Sequence, residues 1–142
     1  MRAIPVLTVL GLVAFAGAVG PAQADVGFRT PSKNIACYYA ADYPPVVLRC
    51  DVGSGVKPAE KPPLYCTGDR GSWNVGFSMA PTGRAHQVCA SDTVMDPRAK
   101  SLAYGTTWKG GGFVCTSKTE GLRCTNRSGH GFSLSRDRSF AF

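Results

Sequence analysis

Two histidines are the side chains of this chain best suited to catalysis. His86 and His130 could act as general base and acid in a small basic nuclease or other hydrolase, with Arg84, Arg127 or Arg136 stabilising a pentavalent phosphate. The competing interpretation places His130 in a tight turn between two glycines and His86 on the solvent face of a strand. No serine lies in a Gly-x-Ser-x-Gly elbow that would support a hydrolase triad. We favour the structural interpretation and expect no catalytic residue.

Six cysteines are the other chemically distinctive residues. Their order suggests nearest-neighbour disulfides, although six cysteines allow fifteen connectivities; the favoured pairs are Cys37 with Cys50, Cys66 with Cys89 and Cys115 with Cys124. A redox role would favour a Cys-x-x-Cys motif, which the sequence lacks. Because oxidised sulfurs are not available as thiolate ligands and only two histidines remain, we expect no metal and no cofactor.

The third cysteine pair has local geometric support. A four-residue loop, 118–121, would set Ser117 opposite Leu122 and Cys115 opposite Cys124 on two antiparallel strands. Gly121 suits the last loop position, where a left-handed backbone is cheap only without a side chain. Facing residues in such a ladder have α-carbons about 4.5 to 5.5 Å apart, which a disulfide can span. This segment is therefore predicted to be a stapled hairpin.

Alternating apolar residues predict strands through most of the chain. Trp73, Val75, Phe77 and Met79 alternate with small or polar residues, and the break at 80–83 allows residues 84–89 to return as a partner strand. The chain has 17 glycines and 10 prolines, which leave little room for a long helix. The predicted fold is all-β, a small antiparallel β-sandwich or barrel-like meander stapled by three disulfides.

The first residues resemble an export signal. A positive start, an apolar stretch over 6–19 and the small-x-small sequence at 22–24 predict a signal peptide over 1–24, cleaved after Ala24. The apolar stretch is too short for a bilayer, which needs about 20 residues, and no later run is as long. We therefore expect a single β domain over 25–142 that is soluble and secreted or periplasmic, with no transmembrane segment after signal removal.

Basic residues outnumber acidic ones, and this excess of positive charge affects which partners the protein would attract. The signal removes one of the 16 basic residues and none of the 9 acidic ones, which leaves a net charge of +6. A basic surface favours anionic neighbours, so an anionic envelope component is one possible partner, and an extracellular protein is another. The charges are scattered singly, however, which is usually only a solubility feature, and no specific nucleic-acid motif is present. The candidate binding residues are Trp108, Lys109, Asn126, His130 and Arg136. Of these, Trp108 is expected to be partly exposed, where it could stack on a sugar or a peptide.

Motifs at both ends of the predicted domain carry a family resemblance. The sequence F-x-T-P-S-x-N-I-x-C spans 28–37, G-L-R-C-T-N spans 121–126, and G-H-G-F-x-L-S-R spans 129–136. Together they resemble an uncharacterised family of small secreted bacterial proteins. The resemblance implies a secreted or envelope-associated β domain and brings no catalytic residues.

These observations favour a non-enzymatic binding or envelope-associated module whose ligand is unknown. Two alternatives stay open at this point. One is the small basic nuclease or other hydrolase that would use His86 and His130, and the other is a purely structural envelope component.

Overall fold

The structure is a computed structural model that describes residues 26–41, 44–57, 66 and 73–142. The predicted signal peptide and its cleavage site after Ala24 lie outside the described residues, as do the side chains of Val26 and Trp73. All regular secondary structure in the described ranges is β-strand, which confirms the predicted all-β class. No helix among these residues has the length and hydropathy required to cross a membrane.

Eleven strands form in the described residues. In chain order they are β1 (Val26–Arg29), β2 (Ile35–Ala40), β3 (Val47–Val52), β4 (Trp73–Met79), β5 (His86–Ala90), β6 (Lys100–Ser101), β7 (Thr107–Gly110), β8 (Phe113–Lys118), β9 (Gly121–Thr125), β10 (Gly131–Leu134) and β11 (Ser139–Ala141). The alternation that predicted a strand at 73–79 is confirmed by β4, and β5 returns beside it as expected.

The strands form two sheets built on the same plan. The first sheet has the order β5-β4-β3-β2-β1-β6 and the second has the order β11-β10-β9-β8-β7. Five consecutive antiparallel strands make up each meander, and β6 adds a short parallel edge beside β1. The two sheets share one apolar core, so the fold is a β-sandwich of two similar meanders.

The stapled hairpin has the predicted register but a shorter turn than expected. Cys115 faces Cys124 and Ser117 faces Leu122, but Lys118 also pairs with Gly121. The predicted four-residue loop is therefore wrong, because the ladder continues for one more pair and leaves two residues, 119 and 120, in the turn. The α-carbons of the two cysteines are 4.1 Å apart.

All three disulfides join the nearest-neighbour pairs expected from the order of the cysteines. Two of them bridge directly opposed residues, Cys37 with Cys50 between β2 and β3 and Cys115 with Cys124 between β8 and β9. Each of these four cysteines is at most 1% exposed. The sulfurs of Cys37, Cys50 and Cys124 all lie within 4.8 Å of one another. The two cross-strand disulfides therefore contact each other in the middle of the core.

Aromatic side chains flank this sulfur contact on both sides. Phe28 faces Cys37 in the first sheet, and Trp108 occupies the matching position beside Cys115 in the second. The rings of Phe28 and Trp108 meet across the interface with centroids 5.0 Å apart. At the other flank Phe77 and Phe132 stack at 5.9 Å. A layer of aromatic, disulfide and aromatic groups thus joins the two sheets.

We expect the two core disulfides to be energetically coupled. Replacing Cys37 and Cys50 with alanine, or Cys115 and Cys124 with alanine, should each lower the free energy of unfolding by about 2 to 5 kcal/mol. Because the sulfurs of the two bridges are in contact, removing both should deviate from additivity by about 0.5 to 3 kcal/mol. Urea unfolding of the wild type and the three variants measures this coupling.

The bridge between Cys66 and Cys89 is the matched control. Neither cysteine belongs to the buried core cluster formed by the described residues. Removing this bridge should therefore lower the free energy of unfolding by an amount that simply adds to the loss caused by removing either core bridge. Equal coupling for all three bridges would contradict the central sulfur contact.

Candidate functional site

Trp108 and Lys109, two of the candidate binding residues, point to opposite faces of β7. Trp108 is half-buried and packs between Phe28 and Tyr39, with ring centroids 5.0 and 5.6 Å away. The partial exposure expected for Trp108 is observed, but its ring faces are used by core packing. Lys109 is exposed on the outer face of the second sheet. The two residues therefore do not form a joint stacking and charge site.

Asn126 holds the ends of the two sheets together. Its side-chain amide donates hydrogen bonds to the carbonyl oxygens of Ala80 and Gly83, at 3.0 and 2.8 Å. Its side-chain oxygen accepts from the amide and the hydroxyl of Ser128, at 3.1 and 3.0 Å. The backbone amide of Asn126 donates to the carbonyl of His130 at 2.9 Å. The side-chain amide of Asn126 thus joins the turn after β9 to the turn after β4, and its side-chain oxygen closes the turn after β9.

The two histidines occupy different surroundings. His86 is exposed at the start of β5, opposite Ser78 on the outer face of the first sheet. His130 is half-buried in the turn before β10. Neither histidine lines any of the three cavities described below. The nuclease hypothesis requires two imidazoles beside one cavity, and none of these three cavities provides that arrangement.

Arg136 lies at the opposite end of the second sheet from Asn126 and His130. Turns at one end of this meander connect β7 to β8 and β9 to β10, whereas Arg136 belongs to the turn between β10 and β11. The structure therefore separates the candidate binding residues into three places. Each of these residues remains a predicted binding residue by itself, but the five do not form one site.

A groove that sequence reasoning missed lies on the outer face of the second sheet. Successive strands place Thr107, Thr116, Arg123, Ser133 and Phe140 in one row across this face. The cavity above the row measures about 420 Å³, within the range of about 300 to 1,000 Å³ typical of ligand sites. We call it the basic groove; its lining includes Thr116, Lys118, Arg123, Ser133, Arg138 and Phe140.

Aromatic rings hold the two arginines of this surface in place. The guanidinium carbon of Arg123 lies 3.7 Å from the centroid of Phe142, and that of Arg138 lies 4.9 Å from the centroid of Phe140. Such cation–π contacts contribute roughly 0.5 to 1 kcal/mol at exposed sites. Within the described part of the chain, no carboxylate forms an ion pair with either arginine. Their charges are thus positioned but not neutralised by a local acid.

The basic groove was not predicted because its cations lie apart along the chain, on β8, on β9 and in the turn before β11. Arg123 and Arg138 stand singly in the sequence, and only the pairing of β9, β10 and β11 brings them to one face. One usable signal was present. The predicted register of Ser117 with Leu122 also places Thr116 opposite Arg123 on the other face of the hairpin. No comparable signal in the sequence indicated that Arg138 and Phe140 lie on the same face as Arg123.

A second cavity adjoins the basic groove. We call it the polar groove; it measures about 250 Å³, and its lining includes Tyr104, Lys118, Glu120, Ser135, Arg136 and Asp137. Thr30, Ser32, Asn34 and Ile35, from the β1–β2 connection and the start of β2, close its other side. Arg136 is the only one of the five candidate binding residues in the lining of either groove.

Ionisable residues also cluster on the outer face of the first sheet, where they bind one another. Arg49 and Asp51 form a two-pronged ion pair at 2.9 and 3.0 Å, and Arg49 reaches Asp92 at 3.0 Å. Asp51 also accepts from the Thr93 hydroxyl at 3.1 Å and the Val94 amide at 3.0 Å. Burial opposes the charge of Arg49, but the bonds and charges of Asp51 and Asp92 outweigh it and raise the pKa of Arg49. This network fastens the loop after β5 to the sheet.

A third cavity of about 230 Å³ lies near the same loop, lined in part by Arg29, Met95 and Asp96. The Asp96 carboxylate accepts from the backbone amide of Arg98 at 2.8 Å and from its side chain at 3.3 Å. These bonds, the backbone one first, lower the pKa of Asp96. The carboxylate is thus engaged in a local turn.

Among the residues that the structure describes, potential metal-ligating atoms cluster at the core sulfurs. The sulfurs of Cys37, Cys50 and Cys124 lie close enough to share an ion, but all three belong to disulfides. A disulfide sulfur lacks the thiolate charge that a metal site uses. The cluster therefore serves core packing.

Together these features define a disulfide-stapled β-sandwich with a basic groove on the outer face of one sheet. The chain belongs to a family of unknown function, DUF6636, whose model matches residues 6–142. The match includes every strand described here. The motifs in the sequence resembled an uncharacterised family, and the matched family is likewise one of unknown function. No curated protein and no solved structure is significantly similar to the chain.

The ion network makes a sharp prediction about stability. Replacing Asp51 with alanine should lower the free energy of unfolding by about 3 kcal/mol, because it leaves Arg49 and the Val94 amide without their buried acceptor. The Asp51 side chain is 2% exposed, whereas that of Asp92 is 79% exposed. The matched variant D92A should therefore cost less than about 1 kcal/mol. Urea unfolding compares the two, and similar losses would show that burial does not determine the strength of this network.

Proposed function

We propose that this protein is a secreted, non-enzymatic binding domain that holds an anionic ligand in the basic groove. The observation that carries the proposal is the pair of arginines, Arg123 and Arg138, each stacked on a phenylalanine and neither ion-paired to a carboxylate within the described residues. Export through residues 1–24 is part of the proposal. It agrees with the three disulfides, which are typical of oxidising compartments outside the cytoplasm.

The charge of the groove favours an anion. Lys118, Arg123 and Arg138 contribute three cations to the lining, against one carboxylate from Glu120. Guanidinium groups suit carboxylate, sulfate and phosphate because their planar donors can form two parallel hydrogen bonds. Stacking on a ring leaves the edge of the guanidinium plane, where the N–H groups lie, free to bind a ligand. The groove can therefore recognise an anion by geometry as well as by charge.

Hydroxyl and apolar groups complete the lining. Thr116 and Ser133 flank Arg123 in the row across the sheet, and Phe140 stands at the end of that row with 38% of its surface exposed. Hydroxyls can donate to or accept from a ligand, and an exposed ring can cover its apolar part. These groups sit on paired strands, so little ordering is required when the ligand binds. The arrangement is that of a preformed recognition surface.

The test is binding of dextran sulfate fragments by calorimetry at several salt concentrations. The double variant R123A/R138A should bind at least about tenfold more weakly than the wild type, because two charge-assisted contacts are lost. Binding by the wild type should also weaken as salt rises, since both arginines are exposed.

Arg84 and Arg98 provide a control that removes the same charge. Both are exposed and lie outside the basic groove, and Arg98 contacts Asp96. The variant R84A/R98A should therefore retain most of the affinity. Equal weakening in the two double variants would mean that net charge, not the groove, attracts the anion. Retained affinity in H86A/H130A would separate this function from the histidine nuclease, which requires both imidazoles.

A further inference from the structure

The basic groove has a neighbouring cavity, the polar groove, at one end of the second sheet. Lys118, Glu120, Gly121 and Ser135 line both the basic groove and the polar groove, so the two cavities adjoin each other at the turn between β8 and β9. A side chain at Gly121 would collide with the carbonyl oxygen of Leu134, and its Cβ would lie 3.1 Å from that of Ser135. Only glycine therefore permits this close packing, and the backbone is bare at the junction.

One turn distributes its side chains between the two grooves. The Ser135 hydroxyl donates to the carbonyl of Arg138 at 2.7 Å and accepts from the amides of Arg138 and Asp137, at 2.9 and 3.3 Å. These bonds close the turn locally. Arg138 then lines the basic groove, whereas Arg136 and Asp137 line the polar groove. The relative placement of the two sets of groups is thus determined by a single closed turn.

The polar groove differs from its neighbour in charge. Lys118 and Arg136 are matched there by Glu120 and Asp137, so cations and carboxylates are equal in number in its lining. No ion pair involves these two carboxylates within the described residues. They would repel a ligand that carries an anionic group at every position. They would instead accept hydrogen bonds from neutral hydroxyl groups.

An exposed aromatic ring completes this second surface. Tyr104 lines the polar groove and is 40% exposed. A tyrosine ring offers an apolar face and a polar tip, a combination suited to a sugar ring with C–H groups on its face and hydroxyls at its edge. Hydroxyl acceptors, balanced charge and an exposed ring together fit a neutral sugar better than a second anion.

We propose that the two grooves bind one chain of an acidic polysaccharide, with a charged sugar in the basic groove and a neutral sugar in the polar groove. This inference rests on the proposed function, because it takes the anion site at Arg123 and Arg138 as its first half. It adds the ligand class, a glycan in which acidic and neutral units alternate, and it assigns Tyr104, Glu120 and Asp137 to the neutral unit.

The experiment compares probes of different length and charge pattern by calorimetry. Hyaluronan alternates a uronate with a neutral amino sugar, so its octasaccharide should bind at least about tenfold more tightly than free glucuronate, since only the longer probe brings a neutral sugar to the polar groove. The variant Y104A/D137A should lose most of this length-dependent gain while its glucuronate binding stays within about twofold of wild type. The variant R123A/R138A should lose binding of both probes.

Inorganic polyphosphate of similar length separates the two proposals. Polyphosphate binding that depends on Arg123 and Arg138 and is as tight as octasaccharide binding would overturn the glycan inference and leave the anion site intact. No length-dependent gain, or no effect of Y104A/D137A on that gain, would also overturn the glycan inference. Failure of every anionic probe to bind the wild type would overturn both proposals. Unfolding midpoints of the two double variants close to that of the wild type exclude misfolding as the cause.

Discussion

Contact between two disulfides in the centre of the core is the interaction on which the rest of the structure depends. Each bridge joins the second and third strands of its meander, and the sulfurs of Cys37, Cys50 and Cys124 meet within 4.8 Å. Aromatic pairs on both flanks extend this contact across the sandwich. A chain of this size buries a limited apolar area, so covalent links in the core supply stability that a larger domain obtains from packing. Packing the two inner faces together leaves both outer faces of the sheets free for other roles.

The two meanders share a plan but use their outer faces differently. On the first sheet Arg49 and Asp51 bind each other and hold the loop after β5, so the donors and acceptors of this cluster are already engaged. On the second sheet Arg123 and Arg138 are held by rings, and no carboxylate of the described ranges pairs with them. A ring supports a guanidinium without neutralising it, whereas a carboxylate consumes both its charge and its donors. This difference makes the first face structural and the second face suited to an anionic ligand.

Several predictions from sequence hold because they depend on local spacing. The alternation at 73–79 predicted β4, and the spacing of Cys115 and Cys124 predicted the register of their hairpin. The turn of that hairpin is shorter than predicted, because nothing in the local sequence shows that Lys118 and Gly121 still pair. Asn126 was a candidate for binding or turn formation, and in the structure its side chain joins the two sheets. Trp108 was expected to be partly exposed, but its contacts with Phe28 and Tyr39 depend on the other sheet and could not be read from β7.

The sequence by itself determined the all-β class and the register that pairs Cys115 with Cys124, since period-two alternation and the short spacing of a hairpin are properties of neighbouring residues. The other two cysteine pairs were favoured among fifteen connectivities, and the structure decided them. Tertiary structure alone decided where charge collects. Arg123 and Arg138 are 15 positions apart in the printed sequence, and each appears isolated there. Pairing of β9 with β10 and of β10 with β11 brings them to one face, because strands adjacent in a sheet lie only about 4.8 Å apart whatever their separation along the chain. The grooves follow from that pairing.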